Sequence, residues 1–174
     1  MKQPIGSIAQ IAYIVENLEQ AMDHWINFLD IGPFFVIEDF QLIEPQYRGR
    51  PMGDIKFRVA LGFSGGVCIE LIEQIDDTPS VFREVAMEKG FCFHHWAYMT
   101  RDFDNEVKKY QDQGIEICFS GAVGVGGRFV YLDATEETQS MIEIIEFNPK
   151  VEAFFAMIEE AAVNWDGTEP VRYF

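Results

Sequence analysis

The chain has 174 residues, with 13 basic against 29 acidic side chains and a formal charge of −16. That balance excludes nucleic acid or an anionic bilayer as a partner, since both need a positive footprint. The length suits one compact domain, large enough for a real core and open to construction from two fused modules.

In chain order, Met1-Lys2-Gln3-Pro4-Ile5-Gly6 has no apolar signal region, and no later run is long enough to span a bilayer. The expectation is a cytoplasmic protein without a membrane partner. Gln10 to Val15 reads as a strand running straight into a helix. That helix is capped by Asn17, with Gln20 three residues on, and carries Leu18, Ala21, Met22, Trp25, Ile26 and Leu29 on one face before Gly32. Three stretches of strand character follow: Phe34 to Phe40, Ile55 to Leu61 and Val67 to Glu73. Thr78-Pro79-Ser80, then Val81, Phe82, Val85 and Ala86 up to Gly90, predicts a linker helix.

From His95 the pattern starts again. His95-Trp96-Ala97-Tyr98-Met99-Thr100 lies over Gln10-Ile11-Ala12-Tyr13-Ile14-Val15 and leads into a helix that opens at Asp102, buries Phe103, Val107 and Tyr110, and stops at Gly114. Ile115 to Ser120, Arg128 to Leu132 and Ser140 to Phe147 complete the set, so the predicted unit is β-α-β-β-β, present twice. Asn148-Pro149 starts an amphipathic helix with Phe154, Phe155, Ile158 and Ala162 on its apolar side, and the tail from Asn164 to Arg172 is too polar and turn-rich for either periodicity. The predicted architecture is α+β: module one over 6–75, a linker helix over 76–90, module two over 91–147, then a C-terminal helix and tail over 148–174. Cys68, Cys92 and Cys118 lie singly in apolar stretches and read as reduced core residues.

The strongest chemical signal is a strand written twice, Ile69-Glu70-Leu71-Ile72-Glu73 and Ile142-Glu143-Ile144-Ile145-Glu146. A glutamate on the inner face of each copy is expensive to bury unless a cation neutralises it; the plain alternative is two partly exposed sheet residues. Gln10 and His95 occupy equivalent places near the start of each opening strand. Alternate strand residues share a face, so Gln10 goes with Ala12 and Ile14, Glu70 with Ile72, and Glu73 and Glu146 point the other way, toward solvent or an interface. If a pseudo-twofold axis relates the modules, Gln10, Glu70, His95 and Glu143 converge. This set suits a divalent ion with one or two open positions, of which Zn, Ni, Co, Mn and Fe are the candidates. His94 points away and reads as structural. Gly121 to Gly127 resembles a phosphate loop only superficially, because no helix follows it; a hairpin or flexible rim is the better reading.

Arg48 and Arg50 in Tyr47-Arg48-Gly49-Arg50-Pro51, and Arg128 beside the glycine stretch, fall in irregular segments where binding residues collect, and could clamp an anionic substrate. Among the 16 Phe, 6 Tyr and 3 Trp, most belong in the core, while Tyr47, Trp96 and Phe129, with Phe34, Phe40 and Phe57, are candidates for the surroundings of an apolar or aromatic ligand.

Nearly the whole chain through Phe147 resembles the vicinal oxygen chelate superfamily, the glyoxalase and bleomycin-resistance fold. The resemblance rests on Ile11 to Leu18 with Gly32, on the two Ile-Glu strands, and on Gly90-Phe91-Cys92-Phe93-His94-His95, which is most similar to methylmalonyl-CoA epimerases and their glyoxalase-like relatives. It implies a curled mixed sheet around a central metal pocket, with ligands at Gln10, Glu70, His95 and Glu143. The epimerases usually carry His where this chain has Gln10, whereas one branch of glyoxalase I has a Gln, Glu, His, Glu set. The implied activity is that of an isomerase, epimerase or lyase acting next to a carbonyl on a small substrate with adjacent oxygens. Glu70 or Glu143 leaves the ion to act as base, with Glu143 the preferred choice. It also implies a homodimer, since exposed module edges in this fold commonly pair. The alternatives are an iron dioxygenase of the same fold, which uses two histidines and one glutamate, and a metal-free binding or resistance protein, which lacks such ligands.

Overall fold

The computed structural model describes residues 7–174, so the signal-region reading of residues 1–6 concerns a segment outside the described residues. The first half contains β1 (Gln10–Ile14), α1 (Leu18–Leu29), β2 (Phe34–Ile37), β3 (Leu42–Tyr47), β4 (Arg50–Pro51), β5 (Phe57–Ser64) and β6 (Val67–Gln74), and α2 (Val81–Lys89) links it onward. The second half contains β7 (Phe93–Thr100), α3 (Phe103–Gln111), β8 (Ile117–Val123), β9 (Arg128–Leu132), a single turn α4 (Thr135–Thr138) and β10 (Met141–Glu146). α5 (Pro149–Ala162) and β11 (Val171–Tyr173) end the chain.

All the strands join one mixed sheet in the order β11-β2-β5-β6-β1-β7-β10-β9-β8-β3-β4, curled and unclosed. The doubling is visible in it. Parallel β1–β6 and antiparallel β6–β5 and β5–β2 in one half match parallel β7–β10 and antiparallel β10–β9 and β9–β8 in the other. The halves meet where β1 pairs antiparallel with β7, Ala12 opposite His95.

Strand alternation sorts the side chains into two layers. Ile69 and Leu71 pack with Leu18 and Met22 beneath α1, and Ile142 and Ile144 with Phe103 and Val107 beneath α3. The intervening residues, among them Ala12, Ile14, Cys68, Ile72 and Met141, face the concave side, where α2 adds Val81, Phe82 and Val85 and α5 adds Ile158. Local signals explain the helix starts. The side chains of Asn17, Ser80 and Asn148 accept from Gln20 N, Arg83 N, and Lys150 and Val151 N, and Pro149 occupies the first turn of α5, where its missing N–H costs nothing.

The second glutamate of each repeated strand has a repeated partner. Arg58 on β5 holds Glu73 and reaches Glu19 of α1 at 2.6 Å, while Arg128 on β9 holds Glu146 at 2.8 Å and reaches Asp104 of α3 at 2.9 Å. Glu73 and Glu146 therefore lie on the helix-bearing face, tying strand to strand and strand to helix.

Three features depart from the predicted elements. The first inner strand stops at Ile37, before Glu38-Asp39, and residues 42–51 form the β3–β4 hairpin, which crosses over to pair with β8 of the other half. Its two-residue turn has positive φ at Arg48 (44°) and Gly49 (71°), the conformation a tight hairpin requires. The tail, unassigned by periodicity, supplies β11, parallel to β2; three residues are too few to show an alternation. The Trp165 indole lies against Gly32, where a Cβ would stand 2.8 Å from the ring, and Phe174 contacts both Phe35 and Phe154. The outer edges of β2 and β8, which module pairing would use, are thus taken by β11 and β3. Among the described residues no helix is long and apolar enough to cross a membrane.

Candidate metal centre

The four adjacent central strands, β6, β1, β7 and β10, bring Glu70, Gln10, His95 and Glu143 together on the concave face. Their relative exposures are 9%, 2%, 0% and 7%, so all four are largely cut off from bulk water. Gln10 Nε2 donates to Glu70 Oε2 at 2.7 Å. His95 Nε2 stands 3.2 Å from Glu143 Oε2 and 3.5 Å from Glu70 Oε2. One ligating atom from each of Glu70, His95 and Glu143 lies within 4.8 Å of the others.

Which atoms of this cluster carry protons follows from its outermost contact. The Val81 carbonyl can only accept, so His94 Nε2, 3.3 Å away, donates to it. His94 Nδ1 then has a lone pair, accepts from His95 Nδ1 at 2.9 Å, and leaves His95 Nε2 bare toward the carboxylates. Burial keeps both rings neutral, pushing His95 and His94 down to about 3, with His95 adding to the effect at His94. Burial also raises the carboxyl groups, Glu143 to about 8 against a hydrogen bond from Tyr131, and Glu70 upward with further repulsion from Glu143. His95 Nε2 and Glu143 Oε2 have no hydrogen-bond partner. Two lone-pair atoms facing each other in a buried site need a proton or a cation between them, and a neutral imidazole with two carboxylates and an amide oxygen is a donor set for a divalent ion.

The centre forms the floor of a cavity of about 250 Å³. Gln10, Glu70 and Glu143 line its polar end; Ile37, Phe40, Leu61 and Phe129 from the sheet, and Val151, Phe154 and Phe155 from α5, line the rest. The glycine stretch is a hairpin between β8 and β9, and its residues Gly124, Val125 and Gly127 form part of the wall.

Of the other sequence-predicted binding residues, Phe40 and Phe129 line the cavity and the rest lie elsewhere. Arg48 bonds Glu84 at 2.8 and 2.9 Å, Asp133 at 3.1 Å and Glu116 at 3.1 Å, and the Tyr47 hydroxyl donates to the same Glu84; together they brace the hairpin against α2 and module two. Arg50 is exposed on β4, the outermost strand. Arg128 is held by Glu146 and Asp104 over the Phe103 ring. Trp96 packs in the cluster beneath α3, as adjacency to His95 requires: neighbours on a strand face opposite ways.

Two residues near the centre were not among the site candidates read from the sequence. His94 does not turn away from the site but fixes the proton on His95. Tyr131 hydrogen-bonds Glu143, pairs with it across β9–β10, and sets its ring edge-on to His95 at 4.7 Å. Its alternation with Phe129 on β9 was the available signal. The residue at the matching place in module one is Leu61, opposite Glu70, so the two glutamates have unlike surroundings.

The profile of the Glyoxalase/Bleomycin resistance protein/Dioxygenase superfamily matches residues 9–131. The chain belongs to this superfamily. No curated protein matches its sequence. Solved structures of the same fold include a methylmalonyl-CoA epimerase from Mycobacterium tuberculosis, 18% identical, TM-score 0.60, covering 86% of this chain and 93% of that one. A Streptomyces coelicolor methylmalonyl-CoA epimerase variant in complex with 2-nitronate-propionyl-CoA is 16% identical, TM-score 0.59, with 84% and 97% covered. A hypothetical protein from Bacillus halodurans C-125 is 14% identical, TM-score 0.59, with 82% and 94% covered. At these identities the likeness concerns the superfamily fold.

Proposed function

We propose that this superfamily member is a metal-dependent enzyme that moves a proton next to a carbonyl, as an isomerase, epimerase or lyase. The observation that carries this reading is the pair of buried carboxylates facing a neutral His95 Nε2, with unpartnered atoms on both sides, at the end of an apolar cavity. His95 Nε2, Glu70, Glu143 and the Gln10 amide oxygen would hold a divalent ion. When bound, the ion supplies positive charge that polarises a substrate carbonyl and stabilises negative charge on its oxygen.

The chain's own residues supply the rest. Glu143 is the base: it lines the cavity, its Oε2 has no hydrogen-bond partner, and burial raises its carboxyl above the usual range in the metal-free site. Tyr131 fixes the orientation of that carboxylate through its hydrogen bond. Glu70, tied to Gln10, stays in place while Glu143 works. The apolar walls offer the abstracted proton few competing acceptors, which favours its return from Glu143.

Methylmalonyl-CoA epimerases share the fold, which supports epimerase-type chemistry as a class. The test is α-proton exchange. Incubating the metal-reconstituted protein with hydroxy ketones and acyl thioesters in heavy water should give deuterium uptake at the α carbon of an accepted substrate, abolished in Glu143→Gln. Exchange by the variant at the wild-type rate would remove Glu143 from the role. The chain is also proposed to form a homodimer, with the β2 and β8 edges already occupied; light scattering that gives a monomer would overturn this.

A further inference from the structure

The chemistry above leaves the body of the substrate unspecified, and the cavity's composition bears on it. Beyond its polar floor every side chain contributed by the walls is apolar except Gln41. Among the described residues no lysine or arginine lines the cavity. Of the basic residues nearest in sequence to its walls, Arg128 is engaged by Glu146 and Asp104 and Arg58 by Glu73, Glu19 and Glu38, while Lys150 is exposed at the start of α5. The chain as a whole carries −16. A ligand arm bearing several phosphates would therefore meet no cation within the cavity and a repulsive field from the chain as a whole.

The walls also limit the width of what the cavity holds. α5 is fastened across one side by Asn148 Nδ2, which donates to Gly126 O at 3.1 Å, and by the approach of Val151 to Gly127, where a Cβ would stand 2.6 Å from Val151 Cγ2. Phe155 meets Phe63 of β5, and Phe154 meets Phe174 of the C-terminal segment. A dry apolar cavity of ~150 Å³ holds one benzene. At 250 Å³ the space suits a ring, or a branched alkyl group, with a few further atoms: about ten non-hydrogen atoms on the same scale.

We infer that the substrate is a compact molecule with two adjacent oxygens at one end and an uncharged aryl or branched-alkyl body at the other, and that it is not a thioester of coenzyme A. The oxygen pair lies at Gln10, Glu70 and Glu143, and the body lies against Leu61, Phe129 and Phe154. This rests on the metal-centre reading for the oxygen end and on the cavity alone for the body.

The test is calorimetric binding, independent of turnover, with three probes: benzohydroxamate, acetohydroxamate and methylmalonyl-CoA. The two hydroxamates share a bidentate oxygen head and differ in the ring. Each is titrated into protein with and without a saturating divalent ion. Benzohydroxamate should bind at least ~10-fold more tightly than acetohydroxamate, because burying the ring removes its apolar surface from water. It should also exceed methylmalonyl-CoA by as much, and Phe154→Ala should cut the ring preference several-fold while leaving acetohydroxamate unchanged. Equal affinity for the two hydroxamates, or methylmalonyl-CoA as the tightest probe, would overturn the substrate class. A ring preference that survives while added metal tightens neither hydroxamate would overturn the metal reading and leave the apolar body standing. Metal tightening both equally, with no gain from the ring, would do the reverse.

Discussion

Replacing Glu143 with Gln should change how the metal-free protein responds to alkaline pH. Burial raises Glu143 from 4.5 to about 8, and raises Glu70 as well, so the folded state keeps protons that the unfolded state has lost. A raised carboxyl stabilises below its unfolded value and ceases to do so as pH climbs through the folded one. His94 and His95 act in the opposite sense: lowered from 6.5 to about 3, they cost stability as pH falls below 6.5. Between pH 4.5 and 6.5 the two effects oppose and stability is nearly flat. Above 6.5 the histidines drop out and the carboxyls act alone. Each pH unit then removes about 1.4 kcal/mol per group, so Glu143 by itself accounts for about 2 kcal/mol between pH 6.5 and 8. For a chain of this size that is a fall in Tm of roughly 4–8 °C. Urea or thermal unfolding of chelator-treated protein at intervals from pH 5 to 8.5 measures it. Glu143→Gln, neutral throughout, should lose its share of the slope, and a saturating divalent ion should remove the alkaline loss in the wild type. A flat or rising wild-type profile from pH 6.5 to 8, or an unchanged slope in the variant, would refute the reasoning.

Further outcomes concern the surroundings of the centre. His94→Phe removes the acceptor for His95 Nδ1–H while keeping the ring contacts with Phe82 and Tyr131. Metal affinity measured by calorimetry should fall about 10–100-fold in a folded protein, and unaltered affinity would remove His94 from its positioning role. Gly127→Ala places a methyl group 2.6 Å from Val151 Cγ2. The strain should cost about 1–3 kcal/mol in urea unfolding and shift α5, and wild-type stability would show that α5 is not seated there as described.

The doubled β-α-β-β-β unit was legible because each half repeats the same apolar pattern, although Asp102 starts α3 without the side-chain cap bond that Asn17 makes at α1. Period-two alternation was enough to separate Glu70 and Glu143 from Glu73 and Glu146, and the structure puts the former pair on the concave face and the latter against Arg58 and Arg128. The same rule would have set Trp96 opposite His95, but Trp96 was read as a candidate for the ligand's surroundings, and the structure packs it beneath α3. Contacts between residues distant in sequence were not legible. Nothing local in Tyr47-Arg48 indicates Glu84, Glu116 and Asp133 as partners, and an arginine in a polar turn looks the same whether it is free or held by three acids. The apolar side of α5 was readable from Phe154, Phe155 and Ile158, but its place against the cavity was not. His94 was misread because its direction was taken from ideal alternation, whereas the β1–β7 register shifts between Ala12 and Tyr13, opposite this stretch of β7.

The central claim is that Gln10, Glu70, His95 and Glu143 hold one divalent ion, and elemental analysis of the reconstituted, desalted protein tests it most directly. Wild type should retain about one ion per chain, and folded His95→Ala and Glu143→Gln should retain little or none. A folded wild-type protein that emerges without metal after exposure to Zn, Ni, Co, Mn and Fe would contradict it.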